Sequence, residues 1–195
     1  RPNTRLVLLA HASNVSGTVQ DAAAVGEICA ARGIAFALDA AQTAGHIPLD
    51  FTALHLSALS VPAHKGLMGP QGIGALLLRP DFAETLEPIV SGGTGSVSDS
   101  EDIPLYLPDR FEPGTPNLPG IYGWEAALEY LEGITVEAVA AHDRALTARL
   151  LRDAVSKQGS ARLLMSTGAS QFDTIKALVR EDVDWSVVDV FHLDE

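Results

Sequence analysis

Short apolar runs that end on polar residues recur in the first third of the chain. Three such runs can be read from the sequence: Arg5–Ala10 before His11–Asn14, Ile34–Leu38 before Asp39, and Leu54–Val61, broken at Pro62, before His64 and Lys65. Short apolar runs bounded by turn-forming residues are typical of buried β-strands. We therefore predict three strands, each followed by side chains that can do chemistry.

A helical pattern separates the first two predicted strands. Thr18–Ala31 places Val25, Ile28 and Cys29 on one helical face, and Gly33 is a natural stop signal. The order strand, helix, strand favours a right-handed crossover between parallel strands. The sequence thus predicts a parallel α/β sheet.

The central part of the chain alternates glycine-rich and apolar sequence. A glycine-rich turn follows Lys65, and Ile73–Leu78 is predicted to return as a strand. Leu86–Pro119 is rich in loop residues, and a loop of this length in a compact domain is usually functional or interfacial. Two helices with Ala- and Leu-rich apolar faces are predicted at Ile121–Leu131 and Thr135–Leu151.

The last quarter of the chain has a β-α-β pattern of its own. The predicted elements are a strand at Ala161–Met165, a polar turn at Ser166–Ser170, a helix at Gln171–Val179 and a strand at Val187–Leu193. We therefore predict two units, residues 1–150 and residues 151–195, of which the second is only part of a domain.

Composition and charge narrow the class of protein. Nearly half of the 195 residues are apolar, as in a globular protein, and the formal net charge is −12. This charge argues against nucleic-acid or anionic-membrane partners, and no apolar run is long enough to span a bilayer. Cys29 is the single cysteine, which excludes an intramolecular disulfide and favours a reducing cytoplasm. The missing initial Met and the end directly after a strand-like run lead us to expect that both ends are cut.

Polar groups are expected to meet at one edge of the predicted sheet. In parallel α/β sheets, ligands bind beyond the carboxyl ends of the strands. Asp39 and Gln42 follow the second strand, and His64 and Lys65 follow the third. A lysine, a carboxylate and further hydrogen-bonding groups are what pyridoxal phosphate (PLP) requires, for its Schiff base, its pyridinium nitrogen and its phosphate.

Lysine usage supports a chemical role for Lys65. Residues 1–156 contain eight arginines and only this one lysine. Arginine remains protonated in proteins, whereas a lysine amine can act as a nucleophile. The alternative interpretations are a solvated loop lysine for Lys65 and an ordinary strand-end cap for Asp39. His46 and His55 are interpreted as surface or boundary histidines without a role, and Cys29 as a small buried hydrophobe. His11 is expected close to the site, where a structural role is the alternative to a functional one.

Four runs carry a resemblance to a known family. They are HASNVSGT (His11–Thr18), DAAQTAGHIPLD (Asp39–Asp50), AHKGLMGPQGIG (Ala63–Gly74) and RFEPGTPN (Arg110–Asn117). In order and spacing these runs resemble class V aminotransferases, and within them the cysteine desulfurases and selenocysteine lyases. The resemblance covers about residues 1–150. It implies the large domain of a PLP-dependent transferase of the aspartate aminotransferase-like fold type I, within an α/β fold.

The same resemblance implies individual roles. Lys65 would form the Schiff base (internal aldimine) with PLP, and Asp39 would pair with the pyridine N–H. Asn14 and Gln42 match positions that bond near the ring oxygen, and His64 matches a phosphate contact. In the homodimers of this family, the residue that Thr115 matches reaches the phosphate of the neighbouring subunit. The implied reaction is a PLP-dependent transformation of a small amino acid such as cysteine, with no metal site.

Three departures from the family pattern limit the expected activity. The phosphate loop and the ring-stacking residue of the family would precede Arg1, and the reactive cysteine and carboxylate-binding arginine of the desulfurases would follow the matched region. Pro62 stands where a small hydroxyl residue is common. We therefore expect PLP chemistry at an amino acid, without a prediction of desulfuration, transamination or another lyase outcome.

The tail resembles a different family. The runs STGASQFDTIKALV (Ser166–Val179) and DWSVVDVFHLDE (Asp184–Glu195) are similar to the beginning of the glucosamine-6-phosphate deaminase/isomerase family. The resemblance implies that Thr167, Gly168 and Ser170 bind a sugar phosphate. Asp194 would match the aspartate that moves the C2 proton. A purely structural β-α-β unit is the alternative.

Three hypotheses therefore follow from the sequence. The first is a PLP-dependent enzyme or its cofactor-binding core. The second is a sugar-phosphate deaminase/isomerase represented by its opening unit. The third is a truncated or fused reading frame in which the site residues are inherited but inactive.

Overall fold

A computed structural model describes residue 1 and residues 3–93, 102–165 and 178–192 of the chain. The strands are β1 (Leu6–Ala10), β2 (Ala35–Asp39), β3 (Ala58–Pro62), β4 (Gly74–Leu78), β5 (Ala161–Met165) and β6 (Val188–His192). The helices are α1 (Ala22–Ala30), α2 (Pro80–Glu84), α3 (Leu118–Ile134) and α4 (Val136–Gln158), and a short 3-10 helix, Trp185–Val187, precedes β6.

The four strands β1 to β4 form one sheet in the order of the sequence. The pairs β1–β2 and β2–β3 are parallel, and β4 runs antiparallel to β3. The register aligns Ala10 with Asp39, Asp39 with Ser60, and Pro62 with Gly74. The carboxyl ends of three strands and the start of the fourth therefore share one edge, which confirms the predicted parallel α/β arrangement.

The two faces of this sheet differ in burial. One face carries Phe36, Leu38, Leu59 and Val61 and packs with α1 in the main core cluster. Side chains alternate between faces along a strand, so the opposite face carries Leu6 and Leu8 of β1, Asp39 of β2 and Leu76 of β4. Its leucines are exposed, Leu8 by 72%. The second face is thus open, and Asp39 lies on it.

The strands β5 and β6 form a separate parallel pair. A second core cluster joins α4 to this pair and to the segment before it: Ala148, Leu151, Ala161, Leu178 and Val183. The predicted division into units at residue 150 falls within α4, which continues to Gln158. The division itself remains a prediction.

Side-chain capping explains where the observed elements differ from the predicted bounds. Asp21 accepts a hydrogen bond from the Ala24 N–H, so α1 begins at Ala22 and not at Thr18. Asp50 accepts from the N–H groups of Thr52 and Ala53, and this turn delays β3 to Ala58 instead of Leu54. The predicted strand Ile73–Leu78 and both predicted helices are present with shifted ends.

The long segment predicted as loop contains more structure than expected. The helix α2, which ends at Glu84 just before this segment, was not predicted from the sequence. Within the segment, the Arg110 guanidinium donates to the Leu86 carbonyl at 2.7 Å, and the Gly114 N–H donates to the Gly92 carbonyl at 3.1 Å. The predicted polar turn Ser166–Ser170 and nearly all of the predicted helix Gln171–Val179 lie outside the described residues.

Candidate functional site

A cleft of about 480 Å³ opens at the carboxyl edge of the sheet. It is lined by Asp39, Ala41, Ser60, Val61, Pro62, His64, Lys65, Ile73, Gly74 and Ala75. These residues come from the ends of β2 and β3, from the turn after β3 and from the start of β4. The structure therefore brings Asp39, His64 and Lys65 together, at the edge that parallel α/β sheets commonly use for ligands.

Asp39 is held in place by its own turn. It is the last residue of β2, and its Oδ1 accepts a hydrogen bond of 2.9 Å from the Ala41 N–H. The adjacent Ala40 N–H donates to the Ser60 carbonyl on β3. The hydrogen bond to one carboxylate oxygen thus fixes the orientation of the side chain. The carboxylate lines the cleft, where it can pair with a cationic group of a ligand.

Lys65 lies in a turn whose backbone is internally bonded. The Met68 N–H donates to the Lys65 carbonyl at 2.9 Å, and the Gly69 N–H donates to the Ala63 carbonyl at 2.8 Å. The side chains of His64 and Lys65 are both exposed. An exposed amine at the cleft is accessible to a ligand that enters from solvent.

Ser60 is a cleft residue that the sequence interpretation missed. It is paired in register with Asp39, so both side chains leave the sheet on the same face. Spacing along β3 places Ser60 and Pro62 on one face of the strand, but only the register with β2 brings Ser60 beside Asp39. A hydroxyl group is therefore present at the cleft, although not at the position that the family pattern predicts.

Three predicted site residues do not line this cleft. Gln42 is half-buried in the turn that follows Asp39, and Asn14 is exposed in the turn after β1. Thr115 is exposed in the loop before α3. Their predicted contacts with a cofactor therefore remain predictions.

His11 has a structural position, one of the two interpretations that its sequence context left open. Its side chain is buried, and its Nδ1 shares a hydrogen bond of 2.8 Å with the Thr43 hydroxyl. Burial lowers the pKa of His11, because the charged imidazolium loses its hydration. This bond ties the end of β1 to the turn that carries Asp39 and Gln42.

Comparison with known proteins identifies the family. The family model of Aminotransferase class-V matches residues 1–193. The chain belongs to this family. A probable cysteine desulfurase of Pyrococcus abyssi is 36% identical over 148 residues, which are 74% of this chain and 37% of the relative. A probable cysteine desulfurase of Methanothermobacter thermautotrophicus is 37% identical over 149 residues, 75% of this chain and 37% of the relative.

Solved structures of class V enzymes share the fold. The apo cysteine desulfurase of Thermococcus onnurineus has a TM-score of 0.65 at 35% identity, covering 78% of this chain and 39% of that one. The cysteine desulfurase CsdA of Escherichia coli has a TM-score of 0.67 at 31% identity, covering 81% and 40%. The fold is therefore the PLP-dependent fold type I, as the sequence predicted. The chain spans about two fifths of the length of these proteins.

Family membership allows a test of whether the cleft suits PLP, the cofactor of class V aminotransferases and cysteine desulfurases. The cofactor needs an amine for its aldehyde and a carboxylate for its pyridinium nitrogen. Lys65 and Asp39 supply both groups from neighbouring strand ends, and His64 and Ser60 add hydrogen-bonding capacity to the same cleft. The set of donors and acceptors fits the cofactor.

The tail residues Thr167, Gly168, Ser170 and Asp194 lie outside the described residues. The resemblance of the tail to glucosamine-6-phosphate deaminase/isomerase therefore stays a prediction. The match of the class V family model extends to residue 193, and so takes in β5 and β6.

In the parts of the chain that the structure describes, no helix is long and apolar enough to cross a membrane. Over the same residues, no group of three or more His, Cys, Asp or Glu side chains is placed to hold a metal ion.

Proposed function

We propose that this chain binds PLP in the cleft at the carboxyl edge of its sheet, with Lys65 attached to the cofactor aldehyde and Asp39 paired with the ring nitrogen. The observation that carries the proposal is the convergence of Lys65, the only lysine in residues 1–156, and a strand-end carboxylate on one cleft. His64 lies beside Lys65 and is proposed as a phosphate contact. Asn14 and Gln42 are proposed to approach the ring oxygen from the turns that follow β1 and β2.

The proposed activity is the transformation of an amino acid, with cysteine as the first substrate to test. When bound, PLP serves as an electron sink for the bonds at Cα of an attached amino acid. In this chain, the Asp39 carboxylate would hold the proton on the ring nitrogen, and the Lys65 amine would bind the aldehyde carbon and exchange protons with the substrate. Support for cysteine comes from the relatives, which are named as cysteine desulfurases.

Absorption spectroscopy with PLP tests the proposed attachment. The full chain is titrated with PLP, reduced with borohydride and mapped by mass spectrometry. We expect a visible absorption band distinct from that of free PLP, and a reduced adduct on Lys65. In Lys65→Arg the band and the adduct should be lost, because arginine keeps the positive charge but cannot form the link.

Lys157 provides a matched control for the lysine chemistry. It lies in the last turn of α4, away from the residues that line the cleft. Lys157→Arg should therefore retain the band and the adduct at Lys65. An adduct spread over several lysines, or a band that survives in Lys65→Arg, would contradict the proposal.

We further propose that two copies of the chain associate and that Thr115 serves the site of the other copy. Thr115 is exposed and is not among the residues that line the cleft of its own chain. Sedimentation equilibrium combined with a PLP titration tests this. A dimer whose PLP affinity falls in Thr115→Ala supports the proposal, whereas a monomer with full PLP affinity contradicts it.

The organisation and location of the chain are also proposals. Separate sheets support the proposed units, residues 1–150 and 151–195, although α4 and the second core cluster, through Ala148, extend across that division. The single buried free cysteine is compatible with a reducing compartment such as the cytoplasm. Limited proteolysis that cuts between the two units would support the first of these proposals, and cuts confined to the terminal residues would contradict it.

A further inference from the structure

The backbone of the Lys65 turn lies directly against the turn that follows Asp39. A Cβ atom placed on Gly45 would overlap the Gly66 carbonyl, and one placed on Gly66 would overlap the Ala44 carbonyl. Glycine at both positions allows the two backbone segments to touch without intervening side chains. Any restraint on residues 44–46 is therefore transmitted to the peptide that follows Lys65.

The ring of His46 completes this contact. A Cβ atom on Gly66 would lie 2.6 Å from Cδ2 and 2.9 Å from Nε2 of His46, so this edge of the imidazole faces Gly66. The other ring nitrogen, Nδ1, lies 3.0 Å from Oδ2 of Asp143. The imidazole thus connects a carboxylate on one side to the Lys65 turn on the other.

Asp143 belongs to α4, an element far from the sheet in sequence. It is 97 residues from His46, and α4 otherwise packs against α3 and β5. His46 and Asp143 are each about half exposed, at 46% and 49%. A pair this exposed adds little to global stability, so its effect should be local.

The Lys65 turn is rich in glycine, so contacts from neighbouring elements add to its internal hydrogen bonds in limiting its conformations. Gly66, Gly69 and Gly72 follow Lys65, and glycine backbones have wide conformational freedom. From α3, Trp124 packs against the second of these, since a Cβ atom on Gly69 would lie 2.7 Å from Trp124 Cδ1. The side of the turn nearest Lys65 is contacted by His46.

We propose that His46 and Asp143 are positioning residues: the hydrogen bond that Asp143 accepts from His46 fixes the ring against Gly66 and thereby fixes the backbone that presents Lys65. Its consequence for PLP rests on the function proposed above. A displaced amine reacts less readily with a bound aldehyde, because effective concentration falls steeply with misplacement.

The first test is a PLP titration, followed by visible absorption, on the full chain and four variants. His46→Ala removes the ring that contacts Gly66, and Asp143→Ala removes the carboxylate that is bonded to this ring. In both variants we expect the PLP concentration at half-saturation to rise about fivefold or more, because reactions are sensitive to small misplacements of the reacting groups. Asp143→Asn keeps an oxygen that accepts from His46 and should restore an affinity close to that of the wild type. Glu27→Ala is the control, since it removes the partner of His55 in a second exposed pair with a 3.3 Å contact.

The second test needs no cofactor. Hydrogen exchange is measured at the amides of Met68 and Gly69, which donate within the Lys65 turn. Exchange should be faster in His46→Ala and Asp143→Ala than in Asp143→Asn, while the melting temperature stays near that of the wild type. If His46→Ala does not fold, the comparison of Asp143→Ala with Asp143→Asn still decides the result.

The two tests separate failure of this inference from failure of the proposed function. If the wild type forms no Lys65-dependent band but exchange is faster in the two alanine variants, the positioning role stands and the proposed function fails. If the band forms and both alanine variants match Glu27→Ala in affinity and exchange, the positioning role is wrong and the proposed function stands.

Discussion

At the scale of single residues, the most specific prediction concerns Asp39 and its role in PLP binding. Its Oδ1 accepts from the Ala41 N–H, and its carboxylate lines the cleft beside Lys65. Replacing it with Asn keeps the shape and an oxygen that accepts the same bond. It removes the negative charge that would stabilise a protonated ring nitrogen.

We predict that Asp39→Asn weakens PLP binding by roughly tenfold to a hundredfold, because a hydrogen bond to a charged group contributes about 1.5–3 kcal/mol. The measurement is the same absorption titration. Asp50→Asn is a matched control, since Asp50 also accepts backbone N–H groups in a turn but is not among the residues that line the cleft. Equal affinities of the two variants would exclude a ring-pairing role for Asp39.

The burial of His11 leads to a prediction about how the stability of the chain depends on pH. Its pKa in the folded chain is lowered from 6.5 by burial. As the pH falls below 6.5, the unfolded chain takes up a proton that folded His11 does not, so unfolding becomes more favourable. The stability that neutral His11 contributes is thus present above pH 6.5 and is lost as the pH falls through the lowered pKa.

We predict that wild type loses part of its stability advantage over His11→Asn between pH 8 and pH 5. Asn has no titratable group in this range but places a polar atom near the position of Nδ1, so it can keep the bond to Thr43. Urea unfolding at several pH values gives the two free energies of unfolding. A difference between them that is constant or grows as the pH falls would show that His11 does not titrate with a lowered pKa.

At the scale of elements, the close contact between the two turns of the site depends on Gly45, and the stability lost on replacing this glycine can be measured. Gly45 has a φ of 85° and Gly33 a φ of 61°, so both favour glycine. A Cβ atom on Gly45 would overlap the Gly66 carbonyl, whereas one on Gly33 has nothing within 4 Å. The two positions therefore differ mainly in packing.

We predict that Gly45→Ala lowers the free energy of unfolding by about 1–3 kcal/mol more than Gly33→Ala, the usual range for overpacking. Thermal or urea unfolding measures both variants under the same conditions. Because the overlap is with the Lys65 turn, PLP affinity should fall in Gly45→Ala only. Equal losses of stability in the two variants would mean that the turns do not touch as described.

At the scale of the whole molecule, the single cysteine and the cleft are separated by the fold. Cys29 is 2% exposed on α1, in the core cluster on the buried face of the sheet. The cleft lies at the carboxyl edge and includes Asp39 from the open face. The thiol of Cys29 therefore faces the core and not the proposed cofactor.

We predict that Cys29→Ala leaves PLP affinity unchanged, and leaves unchanged any release of sulfide from cysteine by this chain. The variant should lose about 1 kcal/mol of stability from the small cavity, so assays belong well below its melting temperature. Sulfide release that is present in the wild type and absent in folded Cys29→Ala would assign Cys29 a reactive role.

The sequence by itself determined the class of fold and predicted the lysine and the carboxylate that the structure brings to one cleft. Apolar runs that end on polar residues predicted the parallel strands, and a lone lysine after one strand indicated the cofactor chemistry. These signals are local, because strand periodicity and strand ends are visible within a few residues. The family match confirms the fold that these signals indicated and the family that the sequence motifs resemble, although the site roles stay proposals.

Only the tertiary structure decided what lies beside Lys65. Ser60 joins the cleft through its register with Asp39, and His46 meets Gly66 because two glycines let separate turns touch. Asp143 reaches His46 across 97 residues of sequence. Contacts of this kind depend on how strands align and how helices pack, and neither residue spacing nor composition contains that information.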